Sequence, residues 1–117
     1  MTLQQATDKV MALTPEQIRH ETATDVMGWI LYFTDANWYR DGNRIIKDWR
    51  PDEDRNQSRQ FTDAVGRQYP KAMTERLVNR IMHMDTPGTY WWVQTPLDEC
   101  RAGLIAWYWA REQHGGE

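Results

Sequence analysis

Residues 97–111 are apolar around almost the whole circumference of a helix, and this segment limits what the rest of the 117-residue chain can be. At about 100° per residue, Leu97, Cys100, Leu104, Trp107, Tyr108 and Arg111 fall on one side. Ala102, Gly103, Ala106 and Ala110 fall roughly opposite, and Ile105 and Trp109 form a third stripe between them. A helix apolar on nearly every side is buried on nearly every side. One sheet covers only part of such a surface, so other helices must supply the rest. The small-residue face allows a sheet or another helix to come close. The Ile105–Trp109 stripe is the hardest to bury, and two readings of it stand. Either a helix at residues 2–13 covers it, or it is an interface for a homodimer or a protein partner.

The rest of the chain is punctuated clearly. Leu3, Ala6, Val10 and Leu13 are spaced as one face of a short helix. Thr14-Pro15-Glu16-Gln17 then combines a capping threonine, a first-turn proline and a capping-box glutamine, so a helix starts near Pro15. Ile18, Val26 and Trp29 share one of its faces, and Gly28 is placed to end it in a left-handed conformation. Ile30–Phe33 is a β-prone run, Asp35-Ala36-Asn37 is turn chemistry, and Trp38-Tyr39 begins a second strand. Asp41-Gly42-Asn43 signals a hairpin returning through Arg44–Lys47. After Trp49-Arg50-Pro51, Asp52 or Asp54 caps a helix to about Tyr69, with Phe61 and Val65 inward. Pro70 breaks it, and Met73, Leu77, Ile81 and Met84 mark another helix over 71–84. Thr89–Gln94 is the best strand in the sequence, and Thr95-Pro96 with Asp98 opens the last helix. The order predicts an α+β fold over residues 1–117 as a single domain, with a small antiparallel sheet of about three strands packed between helices.

Seven tryptophans and five tyrosines supply the large side chains a short chain needs to bury area, which argues against disorder. The longest apolar runs, Trp29–Phe33 and Gly103–Ala110, fall short of the roughly 18 residues of a membrane helix. The first residues lack a basic stretch followed by an apolar core, so no secretion signal is expected. Cys100 is the only cysteine, which suits a reducing cytoplasm. With three scattered histidines it cannot form a zinc site of the usual paired spacing, and no cofactor is expected.

Candidate chemistry is thin. His20-Glu21 begins like a zinc-protease helix, but Thr24 stands where the second histidine belongs. Asp48, Asp52, Glu53 and Asp54 form an acidic cluster whose spacing is not that of a calcium loop, and acids at a helix start suit the helix dipole. Ser58, the only serine, lies mid-helix, and Cys100 shares the packing face of its helix. Trp91 and Trp92 point to opposite faces of their strand; with helices on both faces both are core, and otherwise one is a recognition spot. No nucleophile–base or acid–base set is visible, so no enzyme is expected. Residues 55–83 carry six cations, Arg55, Arg59, Arg67, Lys71, Arg76 and Arg80, against Asp63 and Glu75. That segment is either a solvated basic face or a surface for an anionic partner.

Val26-Met27-Gly28-Trp29, then Trp49-x-Pro51 leading into a helix with Ala64-Val65, then Thr95-Pro96 leading into Cys100-Arg101-Ala102-x-Leu104-x-Ala106 together resemble the phage ABA-sandwich domain family, which includes NinX-like accessory proteins. The resemblance covers roughly residues 25–110. It implies a small sheet sandwiched by helices and no enzyme activity. The sequence departs from that pattern in an N-terminal helical extension, about residues 2–24, and an Arg-rich insert at about Lys71–Met84, leaving an ABA-sandwich-like core at about 25–113. The expectation is a non-enzymatic phage-type accessory protein of the host cytoplasm. It would bind a host protein, for instance to inhibit a defence system, with Ile105, Trp109 and Trp92 as partner-binding residues. The alternative is a nucleic-acid or nucleotide binder using Arg67, Lys71, Arg76 and Arg80 as anion contacts.

Overall fold

Thr2 and Thr14 open the first two helices in the same way. Each side chain accepts a hydrogen bond from the backbone N–H three residues on, and the glutamine there, Gln5 or Gln17, accepts one in return from the threonine N–H. The computed structural model describes residues 2–33, 37–69 and 95–114. Helix α1 spans Leu3–Met11 and α2 spans Pro15–Glu21. The single helix expected from Pro15 to Gly28 is instead α2 followed by a π-helical turn, Thr22–Val26. There the Thr22 and Thr24 hydroxyls donate back to the carbonyls of Arg19 and His20, and the Met27 N–H reaches Thr22 O at 3.1 Å. Hydroxyls that occupy helix carbonyls loosen the regular ladder, a competition the apolar spacing does not reveal. Gly28 does end the segment, with φ +73°.

Strands β1 (Ile30–Phe33), β2 (Trp38–Asp41) and β3 (Arg44–Ile46) form an antiparallel sheet in the order β1-β2-β3. The β2–β3 hairpin turns at Gly42-Asn43, with Gly42 at φ +60° and Asp41 opposite Arg44. Between β1 and β2 the register shifts: Leu31 faces Tyr39 but Phe33 faces Trp38, leaving Tyr32 as the extra residue of a bulge. Asp54 caps α3 (Arg55–Gln68), accepting from the N–H groups of Asn56 and Gln57. Helix α4 (Pro96–His114) begins with Thr95 and Asp98 bonding each other reciprocally. These elements make an α+β fold. The helix read at 71–84, the strand at 89–94, and with them Trp91, Trp92, Lys71, Arg76 and Arg80 lie outside the described residues.

The core lies between α4 and everything packed on it. Helices α1 and α3 run against α4. Ala6, Val10, Ile18, Phe61, Val65, Leu104, Ile105 and Trp107 belong to one buried cluster. Its aromatic end is set by Trp29, whose ring meets Trp49 edge-on at 4.8 Å and lies 6.4 Å from Tyr39. The buried Trp49 indole N–H donates to Thr22 Oγ1 at 2.9 Å. The sheet therefore joins the helices through Tyr39, the buried residue of β2.

Candidate functional site

Because Tyr39 faces the core, its neighbours on β2 face away from it. The register sets Ile30 beside Arg40 and Arg40 beside Ile45, so one row across the outer face of the sheet reads isoleucine, arginine, isoleucine. Ile30 is 59% exposed, Ile45 37% and the bulged Tyr32 49%. Leu31, opposite Tyr39 on the edge strand, is itself 38% exposed. Trp38 stands on the same outer face as Arg40, and Lys47 lies over its ring at 4.9 Å. No carboxylate occupies this face among the described residues: Asp41 points the other way along β2 and pairs with Arg44 at 3.2 Å. The site is an apolar surface carrying two cations.

Elsewhere two buried carboxylates are held by arginines. The buried Glu99 carboxylate takes the Arg55 guanidinium, Arg59 at 3.6 Å and the Thr62 hydroxyl at 3.3 Å, tying α4 to α3. The buried Asp52 takes Arg19 Nε at 2.6 Å, and Arg19 also reaches Glu53 at 3.0 Å. The hydrogen bond to Asp52 is the main reason the Arg19 pKa is raised; burial opposes it. An open depression of about 680 Å³ lies between Asp48, Arg50 and residues 53–57. The acidic cluster read from the sequence is divided there among separate tasks: Asp52 in an ion pair, Asp54 as helix cap, Glu53 between Arg19 and Arg50. Gln57 holds this loop by accepting from Arg50 N–H and donating to Asp48 O, which fixes Asp48 at φ +52°. Among the described residues, no three histidine, cysteine or acidic side chains come together to hold a metal ion.

The possible nucleophiles are placed for packing. Ser58 is buried and its hydroxyl donates to Arg55 O at 3.0 Å. Cys100 is fully buried, and burial, then Asp52 and Glu99, push its thiol far above the usual range. Tyr108 donates to the Glu21 carboxylate and lies 3.2 Å from Asp25 Oδ2. Burial first, then these two acids, raise its phenol well above its ordinary value. His20, from the failed zinc motif, has Nδ1 3.4 Å from the Tyr39 hydroxyl.

Of the α4 stripe, Ile105 is enclosed and Trp109 is partly open. Ile105 is 3% exposed, and α1 packs along α4, so the covering-helix reading accounts for it. Trp109 is half-buried and packs against the core cluster. Arg67 is exposed in the last turn of α3, but Arg55 and Arg59 of the same basic segment are turned to Glu99. The residues that sequence reasoning missed are Ile30, Tyr32 and Ile45. Their signal was the alternation Trp38-Tyr39-Arg40, which puts an arginine on the face opposite the core and therefore in water. No helix among the described residues is long and apolar enough to cross a membrane. No family model, curated protein or solved structure matches the chain.

Proposed function

We propose that this chain is a non-enzymatic accessory protein of the phage ABA-sandwich type that acts in the host cytoplasm by binding a host protein, and that the outer face of the β1–β3 sheet is its docking surface. The observation that carries this reading is the contrast in exposure. The apolar side chains of α4 are enclosed, while Ile30, Tyr32 and Ile45 stand in water on one small sheet. Exposed apolar side chains gathered on one small sheet point to an interaction site. The resemblance and the placement of the nucleophiles support the non-enzymatic part. A phenol or thiol whose pKa is pushed upward is further from being a base or nucleophile at neutral pH, not nearer. Nucleic-acid binding through residues 55–83 is the weaker reading, because Arg55 and Arg59 already neutralise Glu99.

The test compares the immobilised chain with an Ile30→Glu/Ile45→Glu variant in bacterial host lysate. A protein retained by the wild type and lost by the variant, with both melting cooperatively at similar temperatures, is the expected result. Equal retention by both removes the sheet from the proposal. A labelled oligonucleotide bound tightly at low salt and released steeply as salt rises would favour the nucleic-acid reading instead.

A further inference from the structure

The chemistry of the outer sheet face narrows what can sit on it. Aliphatic Ile30 and Ile45 flank a central Arg40 across the three strands. Lys47, over the Trp38 ring, adds a second positive charge one step along the face. Burying this surface under an uncharged apolar partner would strip water from the Arg40 guanidinium without replacing its hydrogen bonds, at a large desolvation cost. A partner that presents carboxylates opposite Arg40 and Lys47 avoids that cost and gains charge-assisted hydrogen bonds.

Resting on the docking role proposed above, we infer that the partner of this face is an acidic amphipathic protein segment: apolar side chains seated on Ile30, Tyr32 and Ile45, with Asp or Glu side chains against Arg40 and Lys47. Cations beside rings also suit single-stranded nucleic acid. The aliphatic side chains beside Arg40 favour the acidic peptide. Ile30 and Ile45, on either side of Arg40, give apolar side chains a seat but offer a base no plane on which to stack.

The experiment uses the full chain, isotope-labelled, and four probes: a synthetic amphipathic peptide with a leucine face and glutamates elsewhere, the same peptide with glutamine, the same with lysine, and oligo(dT). Binding of the glutamate peptide with amide shifts concentrated in residues 30–46 is expected. Affinity should fall about tenfold with the glutamine peptide, the effect of two exposed charge pairs, and further with the lysine peptide. An Arg40→Glu/Lys47→Glu variant, shown folded by its amide spectrum, should reverse the order and prefer the lysine peptide. Equal binding of the glutamate and glutamine peptides on the sheet overturns the acidic partner while leaving the docking surface standing. Absence of any peptide shift in residues 30–46, or binding of oligo(dT) there in preference to the peptides, overturns it as well. The lysate comparison of the apolar variants decides the docking role separately.

Discussion

In the helical layer, Gly103 of α4 comes so near α3 that a Cβ there would stand 2.6 Å from Phe61 Cε2; on the sheet, Ile30 keeps 59% of its surface in water. The two regions are built from comparable side chains and finished differently. Between the helices, apolar groups are enclosed and buried acids have arginine partners. The Trp107 indole N–H finds Gln68 Oε1, and Gln68 in turn donates to Val26 O, closing the end of the π-helical turn. Among the described residues, Arg101 Nε is the buried side-chain polar atom left without a hydrogen-bond partner. The sheet buries one face through Tyr39 and leaves the other open. Substitutions in the first region should therefore act on stability, and substitutions in the second on binding.

The largest expected effect comes from emptying the tight contact. Phe61→Ala leaves a cavity under α4 and should cost about 3–5 kcal/mol, read by chemical denaturation. A loss below about 1 kcal/mol would mean that α3 and α4 are not closely packed. Gly103→Ala attacks the same contact by filling it. With Phe61 ring atoms in the way, the added methyl should cost about 1–3 kcal/mol, although alanine is the better helix former. A stabilised variant would show that the helices stand further apart.

Tyr108→Phe removes a hydroxyl bonded to a carboxylate and should cost about 1.5 kcal/mol at neutral pH. It also tests a pH dependence. The folded-state pKa of Tyr108 is raised, so its contribution is whole below the ordinary phenol value of about 10 and is lost as pH climbs above it. The wild type should lose stability above that pH more steeply than the variant. Tyr39 and Cys100, also raised, leave the variant a residual slope. Identical alkaline slopes would remove Tyr108 from this account.

At Gly28 the penalty is one of backbone conformation alone, since a Cβ there meets nothing within 4 Å. Gly28→Ala should cost about 1 kcal/mol, the strain of an L-residue at positive φ. The smallest effect belongs to the open face: Ile45→Thr should shift stability by no more than about 0.5 kcal/mol while weakening partner capture. A large destabilisation there would make the outer face part of the core and erase the contrast between the two regions.

Local chemistry alone determined much of this protein. Thr2, Thr14, Asp54 and Thr95 cap helices because a side-chain oxygen within three residues satisfies backbone donors, and Gly28 and Gly42 sit at positive φ because they lack a Cβ. These interactions span a few residues, so sequence spacing reveals those at Thr14, Asp54, Thr95, Gly28 and Gly42, while Thr2 was passed over. Phe61 and Val65 were legible as inward-facing for the same reason: helical periodicity is a property of one element. What required the tertiary structure was every question of which surfaces meet. The all-round apolar character of residues 97–111 demanded cover on all sides but did not say which side would lack it. Ile105 is buried, with α1 packed along α4, and among the described residues the largest exposed aliphatic side chains stand instead on the sheet. Asp52 reads locally as a helix-start acid, yet it is buried and paired with an arginine 33 residues away, and buried Glu99 takes an arginine 44 residues away. Burial and ion pairing depend on contacts between elements distant in sequence, which no period or motif within one element encodes.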